Sequence, residues 1–124
     1  MFPELPSLDQ CLPDRVASAL DEPWQTFDGE ELYPGLALKA AVILYGFAKG
    51  HPCPKDGNKR IGTILMGTFL LLNEARLDAS PDDLEGFVLG IATSSPPKRA
   101  EVLAASASWI EDRISVQGKS WGDS

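Results

Sequence analysis

Ten consecutive residues, His51-Pro52-Cys53-Pro54-Lys55-Asp56-Gly57-Asn58-Lys59-Arg60, gather several side chains able to do chemistry. They include the chain's only histidine, a carboxylate, an amide and two adjacent cations. A histidine exchanges protons near neutral pH and can take one from a hydroxyl. Gly57 lets backbone approach a phosphate closely. If an apolar helix starts just after it, the N–H groups of Asn58, Lys59 and Arg60 have no acceptor inside that helix, and its dipole makes them an anion seat. Arg60 offers a planar fork to phosphate oxygens, and Lys59 a mobile point charge. Asp56 is of the type that holds Mg²⁺ against phosphates. Each residue also has a plainer reading. Asp56 or Asn58 can cap the helix, His51 can be a loop residue without a role, and Lys59 and Arg60 can be surface charges. Residue types alone therefore spell an anion site at a helix N-terminus.

The flanking elements must hold this segment in place. Residues 35–48 are apolar nearly all round and predict a buried helix, with Lys39 as its one solvent anchor and Gly50 as its end. Residues 51–57 hold two prolines and a glycine and predict a loop. Residues 58–75 predict the central helix, with Ile61, Ile64, Leu65, Thr68 and Leu72 on one side and Met66, Phe69 and Leu70 widening the apolar surface. Further helices are predicted over 12–20, 81–92 and 97–114, the last burying Val102, Leu103, Ser106, Trp109 and Ile110. Asp28-Gly29 is a hairpin-type turn between the strand formers Trp24, Thr26, Phe27 and Leu32, Tyr33, so a small two-stranded flap is expected. Residues 1–11 read as irregular, 77–80 as a turn, and the tail from 115 as polar and frayed.

At 124 residues the chain predicts a single domain over 1–124, with a core about 12–114. Eighteen acidic against eleven basic residues give a net charge of −7, which disfavours broad coating of nucleic acid. Cys11 and Cys53 are too few for a disulfide scaffold or a cysteine metal site, although they could bridge. The start lacks a basic region followed by an apolar run, and the apolar stretch 61–73 is too short to span a bilayer. The expected location is cytoplasmic, with no membrane contact.

The run HPCPKDGNKRIGTILMGTFLLLNEARL resembles the signature of the Fic/Doc family, His-x-Phe-x-(Asp or Glu)-Gly-Asn-(Gly or Lys)-Arg, in its Doc-like toxin branch. Asp56 to Arg60 match without a gap. YGFAKG before His51 and WQTFDGEELYPGLALKAA upstream are also similar, so the resemblance covers about residues 14 to 113. It implies an all-α, compact helical bundle with a small β-hairpin flap. It also implies nucleotide-dependent transfer to a protein hydroxyl, with ATP and Mg²⁺ as cofactors. His51 would be the general base, Asp56 the metal ligand, and Gly57, Asn58, Lys59 and Arg60 the phosphate site. Lys59 stands where AMP-transferring relatives carry Gly, and Thr63 stands where they carry a second Arg. Both favour the Doc-like branch, which phosphorylates a threonine of elongation factor Tu. AMP transfer and an inactive protein-binding module are the alternatives. The flap, Thr26, Phe27, Asp28 and Gly29, would pair with a target strand. No inhibitory helix is recognised, which implies a separate antitoxin whose C-terminal segment folds on binding. Two departures mark the loop. Five residues rather than four separate His51 from Gly57, so a bulge is expected at Pro54-Lys55. Cys53 stands at the motif's aromatic position.

Overall fold

In the computed structural model, which describes residues 10–54 and 57–116, α1 (Pro13–Asp21) leads through a 3-10 turn (Glu22–Trp24) into a hairpin of β1 (Thr26–Phe27) and β2 (Glu30–Glu31). Then come α2 (Leu36–Gly50), α3 (Asn58–Leu72), β3 (Ala75–Leu77), α4 (Pro81–Ala92), a second 3-10 turn (Pro96–Lys98), α5 (Arg99–Glu111) and β4 (Ile114–Val116). The described residues thus form a mostly helical bundle, as the sequence predicts, with two small antiparallel strand pairs where one was expected.

α2 is the axis. Ten of its fifteen residues are buried, which explains why it is apolar on every side. The helices α1, α3, α4 and α5 all pack against it. Ala40, Ala41 and Ala48 let their backbones come close, while Leu44 and Phe47 fill the space between.

The buried side of α3 differs from the predicted one. Asn58, Ile61, Gly62, Met66 and Leu70 face inward. Ile64 and Leu72, expected inside, are 41% and 80% exposed, and Thr68 is exposed too. Gly62 explains the rotation. A Cβ there would lie 2.7 Å from the Phe47 Cβ, so α3 meets α2 through its narrowest side, and the row at every fourth residue from 58 follows it inward.

Lys39 is a second correction. It is buried rather than a solvent anchor. Its ammonium pairs with the Glu31 carboxylate, donates to the Tyr33 carbonyl (2.6 Å), and lies 5.3 Å from the Trp24 ring centroid. Burial is tolerated because these partners replace water, and the result ties the hairpin to α2. Glu31→Ala should therefore destabilise the protein by about 2 kcal/mol, because it strips the buried ammonium of its counter-charge. Lys39→Met removes the buried ammonium itself and leaves a half-exposed Glu31 that water can solvate, so it should cost less. Urea unfolding of the two variants checks the order. A larger loss for Lys39→Met would mean that the ammonium itself is the stabilising element.

The hairpin turn is as predicted. Asp28 and Gly29 both have positive φ (54° and 80°), and Thr26 faces Glu31 while Phe27 faces Glu30. Trp24 and Leu32, however, fall outside its strands. The second pair was not predicted. β3 and β4 run antiparallel with Arg76 opposite Ser115, where the ends of the helices predicted over 58–75 and 97–114, a turn and a frayed tail were expected. Helix α3 stops at Leu72 because the chain turns through Glu74 (φ 63°) into β3. In α4, which spans the predicted residues, Ser80 accepts from the Asp83 N–H (3.1 Å) and acids occupy the first turn. Trp109 is a packing residue, stacked on Phe87 at 3.9 Å. No helix among the described residues is long and apolar enough to cross a membrane.

Candidate functional site

Two packed helices joined by residues 51–57 bring the end of α2 to the start of α3. His51 is the C-cap of α2, exposed, in the left-handed conformation (φ 51°, ψ 53°). Its N–H still reaches the Phe47 carbonyl (3.3 Å). That conformation is costly for a residue with a Cβ, by about 1–2 kcal/mol, and it turns the chain sharply off the helix.

From there the loop is fastened inward. The Pro52 carbonyl accepts from the Leu12 N–H (2.7 Å), and Cys53 is disulfide-bonded to Cys11, 42 residues away. Both sulfurs belong to a small apolar cluster with Ala19, Phe47 and Ile61, beneath the loop and apart from the main core around α2. Asn58 closes the loop from the other side. It is 1% exposed. Its Oδ1 accepts from the Cys53 N–H (2.8 Å), and its Nδ2 donates to the carbonyls of Cys53 (2.8 Å) and Pro54 (3.2 Å). The Asn58 side chain is thereby committed to the loop, which leaves its backbone N–H for any ligand. Of the two sequence readings of Asn58, the helix cap fails, since its amide bonds the loop and caps no N–H of α3, while phosphate binding was read for its backbone N–H.

The Gly57 N–H donates to the Pro54 carbonyl (2.8 Å), and the first helical bond runs from the Ile61 N–H to the Gly57 carbonyl (2.8 Å). Gly57 is therefore the N-cap, and residues 58–60 supply N–H groups that precede any acceptor within α3. No acid lies in the first turn, where Lys59 is exposed and Arg60 half-buried. Lys59 and Arg60 add positive charge at the positive end of a helix dipole, where an anion is stabilised. Thr63 donates its hydroxyl to the Lys59 carbonyl (2.6 Å). Asp56, the expected metal ligand, and Lys55, with the expected bulge, lie outside the described residues. Among the described residues no group of three or more His, Cys, Asp or Glu could hold a metal ion.

The loop and the flap are not brought together. The hairpin is anchored on Lys39, twelve residues before His51, which is about 18 Å along α2. Trp24, just before the hairpin, is edge-on to Phe69 (6.1 Å), toward the far end of α3 as well. Thr26 and Phe27 are exposed there, Phe27 at 71%.

These features match a known family. The model of the Fic/DOC family fits residues 7–70, more than half of the chain. The chain belongs to the Fic/DOC family. The match takes in α1, the flap, α2, the loop and most of α3, so every candidate residue of the Fic site falls inside it. No curated protein and no solved structure matches the chain.

Sequence reasoning missed one cluster. A cleft of about 350 Å³ opens between α1 and α2, lined by Arg15, Glu22, Tyr45, Lys49 and Arg99 among others, with Pro52 of the Fic loop at its edge. Lys49 is held there by the carbonyls of Ala92 (3.2 Å) and Ser94 (2.5 Å). Arg99 donates to Glu22 (2.9 Å) and to the Tyr33 hydroxyl (3.2 Å). Burial pulls the Arg99 pKa down, but the Tyr33 hydrogen bond and the nearby charges of Tyr33 and Glu22 outweigh it, so the pKa is raised above its ordinary value. No periodicity links residues 15, 49 and 99, which come from three helices.

Proposed function

We propose that this Fic/DOC protein is a Doc-like phosphotransferase, one domain over the whole chain, that moves the γ-phosphoryl group of Mg-ATP to a Ser or Thr hydroxyl of a protein. The observation that carries the reading is the start of α3. Buried Gly57 and Asn58 set the helix, and exposed Lys59 follows at once, eight residues after exposed His51. Helix N–H groups, Lys59 and Arg60 form a donor set that fits a polyphosphate. Mg²⁺ fits too, since it takes one carboxylate, here Asp56, together with phosphate oxygens.

ATP, when bound, supplies the transferable phosphoryl group. The chain's own residues do the rest. The α3 N–H groups orient the phosphates, and Lys59 and Arg60 offset their charge. His51 takes the proton of the incoming hydroxyl at its imidazole. Lys59 and Thr63 favour phosphoryl over AMP transfer. The lysine fills space that glycine would leave, and the threonine provides no second cation and spends its hydroxyl on the helix. Because the flap lies about 18 Å from His51 along α2, a target strand on Thr26–Gly29 acts as a docking contact at a distance. The target that the resemblance implies is elongation factor Tu, in the cytoplasm. The exposed apolar side chains Phe27, Leu71 and Leu72 suit an antitoxin segment that folds on binding.

ATP labelled separately at the α- and γ-phosphates, incubated with Mg²⁺, the protein and a cell lysate, tests the reading. Label from γ supports it, label from α makes the protein an AMP transferase, and no transfer leaves a binding module. Lys59→Gly is expected to cut γ-phosphate transfer at least 10-fold. Full γ-transfer by that variant would remove Lys59 as the determinant.

A further inference from the structure

We propose that the Cys11–Cys53 bond is a redox-controlled staple of the Fic loop: closed, it holds the loop in its anion-binding form, and opened by a dithiol it releases the loop. The part concerning nucleotide affinity rests on the function proposed above, and the part concerning the loop does not.

The bond is placed to act on the site rather than on the fold. Cys11 and Cys53 are the chain's only cysteines, so they belong to no wider framework. They lie in the small cluster under the loop, while the main core is built on α2 without them. Cys53 is two residues from His51. Its backbone N–H and carbonyl are both held by the Asn58 amide, and Asn58 is the first residue of α3. Any displacement of Cys53 is thus passed to the helix start that carries Lys59 and Arg60. On the other side, Cys11 and the Leu12 N–H link the chain just before α1 to this loop, at Cys53 and Pro52. Cys53 also stands where the Fic motif has an aromatic side chain, so the covalent bond takes over an anchoring task that a small thiol cannot perform by packing.

The exchange balances. One thiolate of a small dithiol attacks a sulfur of the pair, the S–S bond breaks, and the other sulfur leaves as a thiolate and takes a proton. The second thiol of the reagent then resolves the mixed disulfide. The protein ends with two S–H groups and the reagent with one S–S bond. A small-molecule disulfide such as oxidised glutathione drives the reverse. Both sulfurs are buried, Cys11 at 5% and Cys53 at 7% exposure, so exchange waits on local opening of the segment before α1.

The test uses the full chain in oxidised glutathione, the same protein in dithiothreitol, and Cys11→Ser. Alkylation with mass spectrometry counts free thiols, and hydrogen exchange reads the backbone. Reduction and Cys11→Ser should each speed exchange across residues 52–61 at least 10-fold and leave α4 and α5 unchanged, and Cys11→Ser should not respond to dithiothreitol. Calorimetry with Mg-ATP should show at least 10-fold weaker binding after reduction. Free thiols in oxidised glutathione, unchanged loop exchange, a Cys11→Ser variant that still responds to dithiothreitol, or unfolding of the whole chain on reduction would each overturn the staple. A loosened loop with no ATP binding in either state would keep the staple and sink the nucleotide site.

Discussion

Asn58→Asp is expected to lower the thermal midpoint by about 10 °C at pH 8, a loss of about 3 kcal/mol in a domain of this size. The native amide is matched on three sides, as one acceptor and two donors. A carboxylate keeps the bond from the Cys53 N–H but turns an oxygen toward the carbonyls of Cys53 and Pro54. It also buries a charge at a position 1% exposed. Protonation relieves both faults, so the folded-state pKa of the introduced acid lies above its unfolded value. The folded variant then binds more protons than the unfolded one, and its stability falls as pH rises. The deficit should therefore shrink between pH 8 and pH 5. Melts across that range check the sign, and an equal deficit throughout would mean that the amide's donors do not matter. Reduced ATP affinity in the same variant would tie the clamp to the site.

His51 gives the largest expected effect on rate. His51→Ala should reduce γ-phosphate transfer by about 10³-fold, the scale of a lost general base, with ATP affinity within twofold of the parent. His51→Gly should be as inactive and yet more stable by about 1 kcal/mol, because glycine accepts a φ of 51° without a Cβ penalty. A variant that gains stability while losing function would mark the histidine as a residue held for chemistry against local strain. Kinetics and melts on both variants decide it. Activity retained by His51→Gly would place the base elsewhere.

The helices were legible because their signals are local. Pro81 with its following acids opens α4, Asp28-Gly29 makes the hairpin turn, and an apolar run rich in alanine makes α2. What failed depends on contacts between distant segments. The inward side of α3 could not be chosen from its own pattern, since Ile64 and Leu72 are as apolar as Met66 and Leu70, and the decision rests on Gly62 meeting Phe47. Lys39 is polar by type and buried by its partners, Glu31 and the Tyr33 carbonyl. β3 and β4 are three residues each and lie almost forty residues apart, too short for any pattern. In the site, the motif located the loop, but nothing in it showed that Asn58 grips Cys53 or that Cys11 reaches across to the same residue. Spacing shows which groups share a loop. It does not show which of them are consumed in holding that loop together.

The pairing of β3 with β4 makes the α4–α5 segment a closed excursion. The chain leaves at Leu77 and returns beside it at Ile114, and the Asp78 N–H bonds to the Arg113 carbonyl (2.7 Å) across the base. The family match ends at residue 70, before this excursion begins. What the excursion supplies is a buttress for α2, through Val88, Ile91, Leu103 and Ile110. A replacement of equal span would need that apolar face, acceptors for Lys49 and a cation for Glu22 to keep the end of α2 in place. The molecule is in that sense a cassette clipped onto the stem that carries the family match, and its rear helices are open to exchange in a way that the stem is not.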